Sequence, residues 1–345
     1  MTNQHEITKR MPLLNREGNL TEPGWARGLL WDYHRPDIRA SGMRIKEWDY
    51  YFVSNGHIGL ALTIADNGYM GLDSVSYLDF DEKWEITKSP MRLLPMGKTA
   101  LPETSAAGAS EIARGGYALA FYHDDDGTRK LTFHMDKFRG KDAIEGMISL
   151  SDEPAESMVI ATPFEKSGHF YYNQKINCMR ASGWIELGGA RVELDPKTWF
   201  AVLDWGRGVW TYHNTWYWGS ASGELDGVPF GWNIGYGFGD TSAASENVLF
   251  YGGKIHKLSQ VRFEIPMQDG KEDYLKPWRF SSDDGRFEMA FTPILNRAAY
   301  TSVGVIKSDQ NQVFGRFTGT AALDDGTVLQ VNDFFGFAEK VENKW

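Results

Sequence analysis

The sequence predicts an all-β protein: two antiparallel barrels packed side by side, with little helix. Three observations predict it. Turn signals with strand-like flanks recur from end to end, amphipathic helical periodicity is scarce, and 13 Trp, 15 Tyr and 20 Phe accompany 37 Gly. Aromatic residues favour strands and glycines favour tight turns. Crossover helices for a parallel sheet are missing, and closing long antiparallel strands into barrels removes the edges that invite aggregation. At roughly 150 residues per domain, a chain of 345 residues has room for two barrels.

Residues 6–14 carry periodicity for a turn or two of helix. Residues 48–66, WDYYFVSNGHIGLALTIAD, read as a hairpin about Asn55-Gly56, a dipeptide that tolerates the positive φ of a two-residue turn. His57 belongs to that turn and is expected to be exposed, and only one of Glu47 and Asp49 is expected to face a cavity. Residues 116–123 and 129–137 flank an Asp-Asp-Asp-Gly turn, and 182–187 and 190–194 flank Gly188-Gly189. Residues 230–240, FGWNIGYGFGD, resemble the start of a nucleotide loop but lack its strand-turn-helix context. A tightly coiled strand whose glycines relieve crowding on one face explains them better. Residues 240–246 have room for one more helical turn. Further hairpins flank Gly252-Gly253 and residues 283–285, and Asp324-Asp325-Gly326 leads into TVLQVNDFFGFAEKV. The small, polar stretch 220–228 marks the cut, giving residues 1–222 as a first barrel with an N-terminal extension and 223–345 as a second.

Lys and Arg number 36 against 46 Asp and Glu, a net charge of -10 with no basic run, which argues against nucleic acid as a partner. No stretch is apolar enough to span a membrane, and the N-terminus lacks the apolar core of a signal peptide. Cys178 is alone, so no intrachain disulfide forms and a reducing, cytoplasmic setting is expected. The eight histidines offer no HExxH pattern and there is no GxSxG elbow. No metal and no organic cofactor are expected.

The densest chemistry lies in residues 200–220, FAVLDWGRGVWTYHNTWYWGS. Here Asp204, Arg207, His213 and Asn214 sit among Trp205, Trp210, Trp216 and Trp218. A carboxylate flanked by indoles is desolvated, which raises its pKa and makes it a proton donor. His213 is the candidate base or water-orienting group. Trp205, Trp210, Asn214, Trp216 and Trp218, with Trp232 and Asn233 from the glycine-rich strand, are the candidate ligand-binding residues, and the indole faces suit a cation. Arg207 competes with this reading. Three residues from Asp204, it pairs with that carboxylate only if Gly206 breaks the strand into a turn or bulge, and the pair would favour the charged form.

The segments 47–66, ASGWIELGGARVELDPKTWFAVLDWGRGVW (181–210), FGWNIGYGFGDTSAASENVLFYGGKIHKL (230–258) and GFAEKVENKW (336–345) together resemble the bacterial domain-of-unknown-function family 2804, over nearly the whole chain. The first two are similar in layout to the carotenoid 1,2-hydratase and AttH-like superfamily, with Val202-Leu203-Asp204 standing where those relatives have Trp-x-Asp. This resemblance implies a double lipocalin-like architecture and apolar isoprenoid or polyketide ligands, and it places the hydratases' acid at Asp204. The expected function is capture of an apolar or amphipathic small molecule in an aromatic-lined cavity, with acid-catalysed hydration, cyclisation or isomerisation as its chemistry. A carbohydrate-active protein and a non-catalytic lipid carrier are the alternatives.

Overall fold

The structure is a computed structural model describing residues 4–124, 126–303 and 306–344; position 125 of the Asp-Asp-Asp-Gly turn lies outside the described residues. Strands take up 63% of the chain and helix 2%, which leaves no element to carry a parallel crossover. The first sheet runs Trp84–Lys88, Met70–Asp79, Ile58–Asp66, Ile45–Ser54, Phe200–Val209, Phe170–Leu187, Asp142–Ser151, Arg129–Arg139, Tyr117–His123, Gly108–Arg114. Its ends curl together: Tyr117 donates its hydroxyl to Asp73 Oδ2 at 2.9 Å, and Ser110 donates to Asp49. The second sheet runs Lys254–Lys257, Val248–Tyr251, Val228–Tyr236, His213–Leu225, Val328–Lys344, Ile306–Ala322, Phe287–Val303, Trp278–Ser282, Val261–Glu264. The result is two lipocalin-like antiparallel barrels.

The predicted hairpins form for local reasons. At Asn55-Gly56, Asn55 Oδ1 accepts the backbone N–H groups of His57 and Ile58, each at 2.9 Å, and Gly56 takes a φ of 81°. The Asn side chain thus closes the turn that a glycine without Cβ strain permits. Gly188-Gly189 and Gly252-Gly253 turn in the same places that the sequence indicates.

Both barrels are filled by their own side chains. Trp205, Tyr172 and Phe133 belong to the first core, and Trp232, Phe287 and Phe317 to the second. Between the barrels, Tyr50, Phe52 and Val202 of the first sheet pack on Trp218, Phe314 and Phe337 of the second. A break in register between Ile176 and Met179 leaves Cys178 at a φ of 65°. This bulge pushes Asn177 into the second sheet, where its amide donates to Ser220 Oγ at 2.8 Å, Ala221 O at 3.0 Å and Trp232 O at 3.1 Å.

Three expectations need correction. Residues 6–14 and 240–246 are not helical; Met11–Pro12 pairs with Trp31–Asp32 instead, and the only helical turns among the described residues are the 3₁₀ segments Arg35–Asp37 and Gly42–Arg44. The chain leaves the first sheet at Val209 and enters the second at His213, so a cut after residue 222 falls inside the strand His213–Leu225. Its Ser-Ala-Ser-Gly run is small because Asn177 and Cys178 press against it, not because it is a linker. Glu47 and Asp49, two apart on one strand, share a face, and both approach Arg207.

Candidate functional site between the barrels

Phe200–Val209 is sandwiched, all ten of its residues being buried. Its pairing with Ile45–Ser54 runs without a break from Phe200 to Val209, so the strand is regular and alternates faces. Leu203, Trp205 and Arg207 point into the first barrel, and Val202, Asp204, Gly206 and Gly208 toward the second. Gly206 is therefore not a turn. A Cβ there would overlap the Trp48 indole, and the glycine lets that indole lie across the strand.

This alternation separates Asp204 from Arg207. Arg207 is fully buried and donates to Asp49 Oδ1 at 3.0 Å, Trp48 O at 2.9 Å and Pro102 O at 2.8 Å, with Glu47 Oε1 3.9 Å away. The expected pair with Asp204 does not form. Asp204 Oδ1 instead accepts from Lys175 Nζ at 2.9 Å and Asn173 Nδ2 at 2.6 Å, the partners of a charged carboxylate rather than of a proton donor. Lys175 Nζ lies 3.9 Å from the centre of the Trp218 ring.

Facing this group are two further carboxyl groups, Glu339, buried on the strand Val328–Lys344, and Glu246, half-buried on the loop before Val248–Tyr251. Glu339 Oε1 accepts from Trp216 Nε1 at 2.9 Å, and Gln312 Nε2 donates to Oε2 at 3.1 Å. Burial pushes the Glu339 carboxyl up to about 7; Trp216, Arg297 and Lys175 pull it down, and the Asp204 charge adds to the rise. Burial also raises Glu246, opposed by Lys175 and by Asn233, whose Nδ2 donates to Glu246 Oε2 at 3.2 Å. Asn233 Oδ1 in turn accepts from Trp218 Nε1 at 2.7 Å. The Tyr50 and Tyr171 hydroxyls are raised by burial and feel Asp204 and Glu339. A Cβ at Gly235 would meet Glu246 Oε1 at 2.6 Å, which explains one glycine of the coiled strand.

An aromatic cage adjoins the cluster. Trp210 meets Trp48 and Trp216 edge-on, at centroid distances of 5.3 and 5.9 Å, and Phe238 lies 4.8 Å from both Trp210 and Tyr171. At the opposite end of the interface an open cleft of about 300 Å³ is lined by Phe52, Phe200, Val202, Ser220, Phe334 and Phe337, among others. Its volume is that of a small-molecule site. It stops one side-chain layer short of the carboxyl groups: Val202, Ser220 and Phe337 are the same-face strand neighbours of Asp204, Trp218 and Glu339. Among the described residues no three His, Cys, Asp or Glu side chains form a group able to hold a metal ion, and no helix is long and apolar enough to cross a membrane.

Of the residues singled out from the sequence, Asp204, Trp210, Trp216, Trp218 and Asn233 come together here. His213 does not: it is exposed, its Nε2 lying 3.3 Å from Glu342 Oε1. Asn214 ties its amide to Thr211 O at 2.7 Å. Trp205 and Trp232 fill the two barrel cores and are absent from the interface for the same reason as Arg207, the strand alternation. Glu339, Glu246, Lys175 and Asn173 were missed. Lys175 alone left a trace, as a single charge in the run HFYYNQKINCM.

The family model for a domain of unknown function (DUF2804) matches residues 4–345. No curated protein matches. Among solved structures, an AttH-like protein from Nitrosomonas europaea aligns with a TM-score of 0.52 and 14% identity over 89% of this chain and 95% of its own. Kievitone hydratase from Nectria haematococca aligns with a TM-score of 0.50 and 8% identity over 97% of this chain and 98% of its own. These likenesses are of fold.

Proposed function

Starting from the premise that the chain belongs to the DUF2804 family, and that a hydratase shares its two-barrel fold, we propose that it binds an apolar or amphipathic alkene between the barrels and hydrates it by acid catalysis. One observation carries this reading. Glu339, with its carboxyl raised to about 7, sits buried across from the Lys175-paired Asp204 and beneath Trp216. Two carboxyl groups in environments that differ this much suit an acid and a fixed negative charge.

In this mechanism Glu339 gives its proton to one alkene carbon, whose π pair becomes the new C–H bond. The neighbouring carbon becomes cationic beside the Trp216 and Trp210 indoles. The face of Trp218 is taken by Lys175, so that indole positions the lysine instead. A water oxygen bonds to the cation and its surplus proton returns to Glu339, which restores the acid. Asp204, proposed from the sequence as the acid, supplies the charge that helps keep Glu339 protonated. The cleft holds the apolar part of the ligand, and Phe337 turns aside to admit the reacting carbon.

Farnesol and a prenylated phenol, incubated in ¹⁸O-labelled water and analysed by mass spectrometry, test the reading. The expected result is addition of one labelled water by the native protein and none by Glu339→Gln, with quenching of Trp fluorescence by the ligand in both. Binding without water addition by the native protein would assign it to ligand carriage. Quenching by oligosaccharides alone would overturn the apolar ligand.

A further inference from the structure

The edge strand Met91–Leu93 is inside out. Paired with Met70–Leu72, it turns Arg92 into the barrel, 4% exposed and bonded to Asp73, while Met91 and Leu93 face outward, 67% and 87% exposed. A strand that served only barrel stability would have the opposite pattern. Leu94 and Met96 continue the ribbon, both exposed and both at positive φ, 50° and 51°. These are bulky side chains in a conformation that costs strain. Their backbones are fixed nonetheless: Leu94 N donates to Tyr69 O at 2.9 Å and Met96 N to Gly68 O at 3.0 Å. The apolar ribbon is held in place rather than left loose.

It does not end at residue 96. A Cβ at Gly42 would sit 3.5 Å from Met96 Cε, which places the turn bearing exposed Met43 beside the ribbon. The next residue, Arg44, donates to Trp210 O at 2.7 Å, and exposed Tyr212 lies two residues beyond. The Met43 turn is thus tied through Arg44 to the aromatic-cage end of the inter-barrel site. Contiguous exposed apolar surface of this kind marks an interaction site.

The two segments that carry the ribbon, residues 86–102 and 38–46, bear cations and no anions, two of the cations, Arg92 and Lys46, being buried. No acidic residue occurs between Glu85 and Glu103, where Lys88, Arg92 and Lys98 stand, nor between Asp37 and Glu47, where Arg39, Arg44 and Lys46 stand. Lys88, Lys98 and Arg39 are exposed. In a chain of net charge -10 this is a local reversal of sign. Apolar side chains rimmed by cations complement an anionic lipid surface, whose interior takes the apolar groups and whose headgroups take the charge. We propose that the ribbon around Met43, Met91, Leu93, Leu94, Met96 and Tyr212 docks the protein onto anionic membranes, with the aromatic-cage end of the inter-barrel site turned toward the lipid. A second copy of the chain, carrying the same cations on the same patch, is less well matched.

Co-sedimentation of the full chain with vesicles tests this directly, independently of any turnover. The native protein is expected to pellet with phosphatidylcholine vesicles containing phosphatidylglycerol, less with phosphatidylcholine alone, and less as salt rises. Leu93→Asp with Leu94→Asp should lower partitioning by roughly tenfold or more while leaving the thermal midpoint in place, since both side chains are exposed and Asp tolerates the positive φ at 94. Lys88→Glu with Lys98→Glu should remove the preference for the anionic lipid. Absence of native binding to either vesicle, or equal pelleting of the Leu93/Leu94 variant, overturns the proposal. A dimer that the same variant abolishes, in a protein that ignores vesicles, assigns the ribbon to self-association instead.

Discussion

Arg207 and Asp49 form an ion pair inside the first barrel, Nη1 to Oδ1 at 3.0 Å, on the face of the strand opposite Asp204. Both partners are buried, and Glu47, bonded to Arg35 and Tyr33, completes the group. The arginine that the sequence sets beside the candidate acid is therefore part of the barrel interior.

Replacing Arg207 by Met leaves the Asp49 carboxylate without its cation in a dry interior. Breaking a buried pair in this way costs about 3–5 kcal/mol. Urea unfolding of Arg207→Met should register that loss, while ligand titration of the folded fraction should match the native protein. An unchanged midpoint would remove the pair from the stability of the barrel.

Glu339 predicts a pH dependence. Its folded-state carboxyl, raised from 4.5 to about 7, holds a proton that the unfolded chain has released across that window. The folded state therefore binds more protons there, and stability falls as pH rises from about 4.5 to about 7, by on the order of 3 kcal/mol. Glu246, raised in the same direction, adds to the slope. Urea titrations at a series of pH values should show a shallower slope for Glu339→Gln than for the native protein. Parallel slopes for the two proteins contradict the assignment.

Gly206→Ala drives a methyl into the Trp48 indole. The backbone conformation is regular, so the cost comes from overpacking, about 1–3 kcal/mol. The displaced indole should also alter the near-ultraviolet circular dichroism of the Trp48–Trp210–Trp216 cage. A spectrum and midpoint identical to the native ones would mean that Trp48 has room to move.

Cys178 should be inert while the protein is folded. It is buried at the bulge between the barrels, and burial pushes its thiol up to about 12, leaving almost no thiolate at neutral pH. A disulfide reagent should therefore label it only in urea. Rapid labelling in native buffer would show that the barrels part readily at Asn177 and Cys178.

The hairpins are legible in the sequence, because each is fixed by neighbours a few residues apart. Asn55 closes its own turn, and Gly188-Gly189 and Gly252-Gly253 supply the positive φ that their loops require. The class was legible too, since strands without crossover helices leave the two large sheets antiparallel. The faces of Phe200–Val209 were another matter. A half-buried strand announces its inner face by alternating polarity, but all ten residues here are buried, between a barrel core on one side and a second barrel on the other. With no solvent face to set the phase, Asp204 and Arg207 looked like partners, and only packing sent one to Lys175 and the other to Asp49. Glu339 stayed hidden for a related reason. In GFAEKVENKW it reads as one charge of a solvated strand, and it becomes a buried acid only where Trp216 and the opposing sheet cover it. Such cover comes from residues more than a hundred positions away, so tertiary packing, not local sequence, decided which carboxyl groups lost their water.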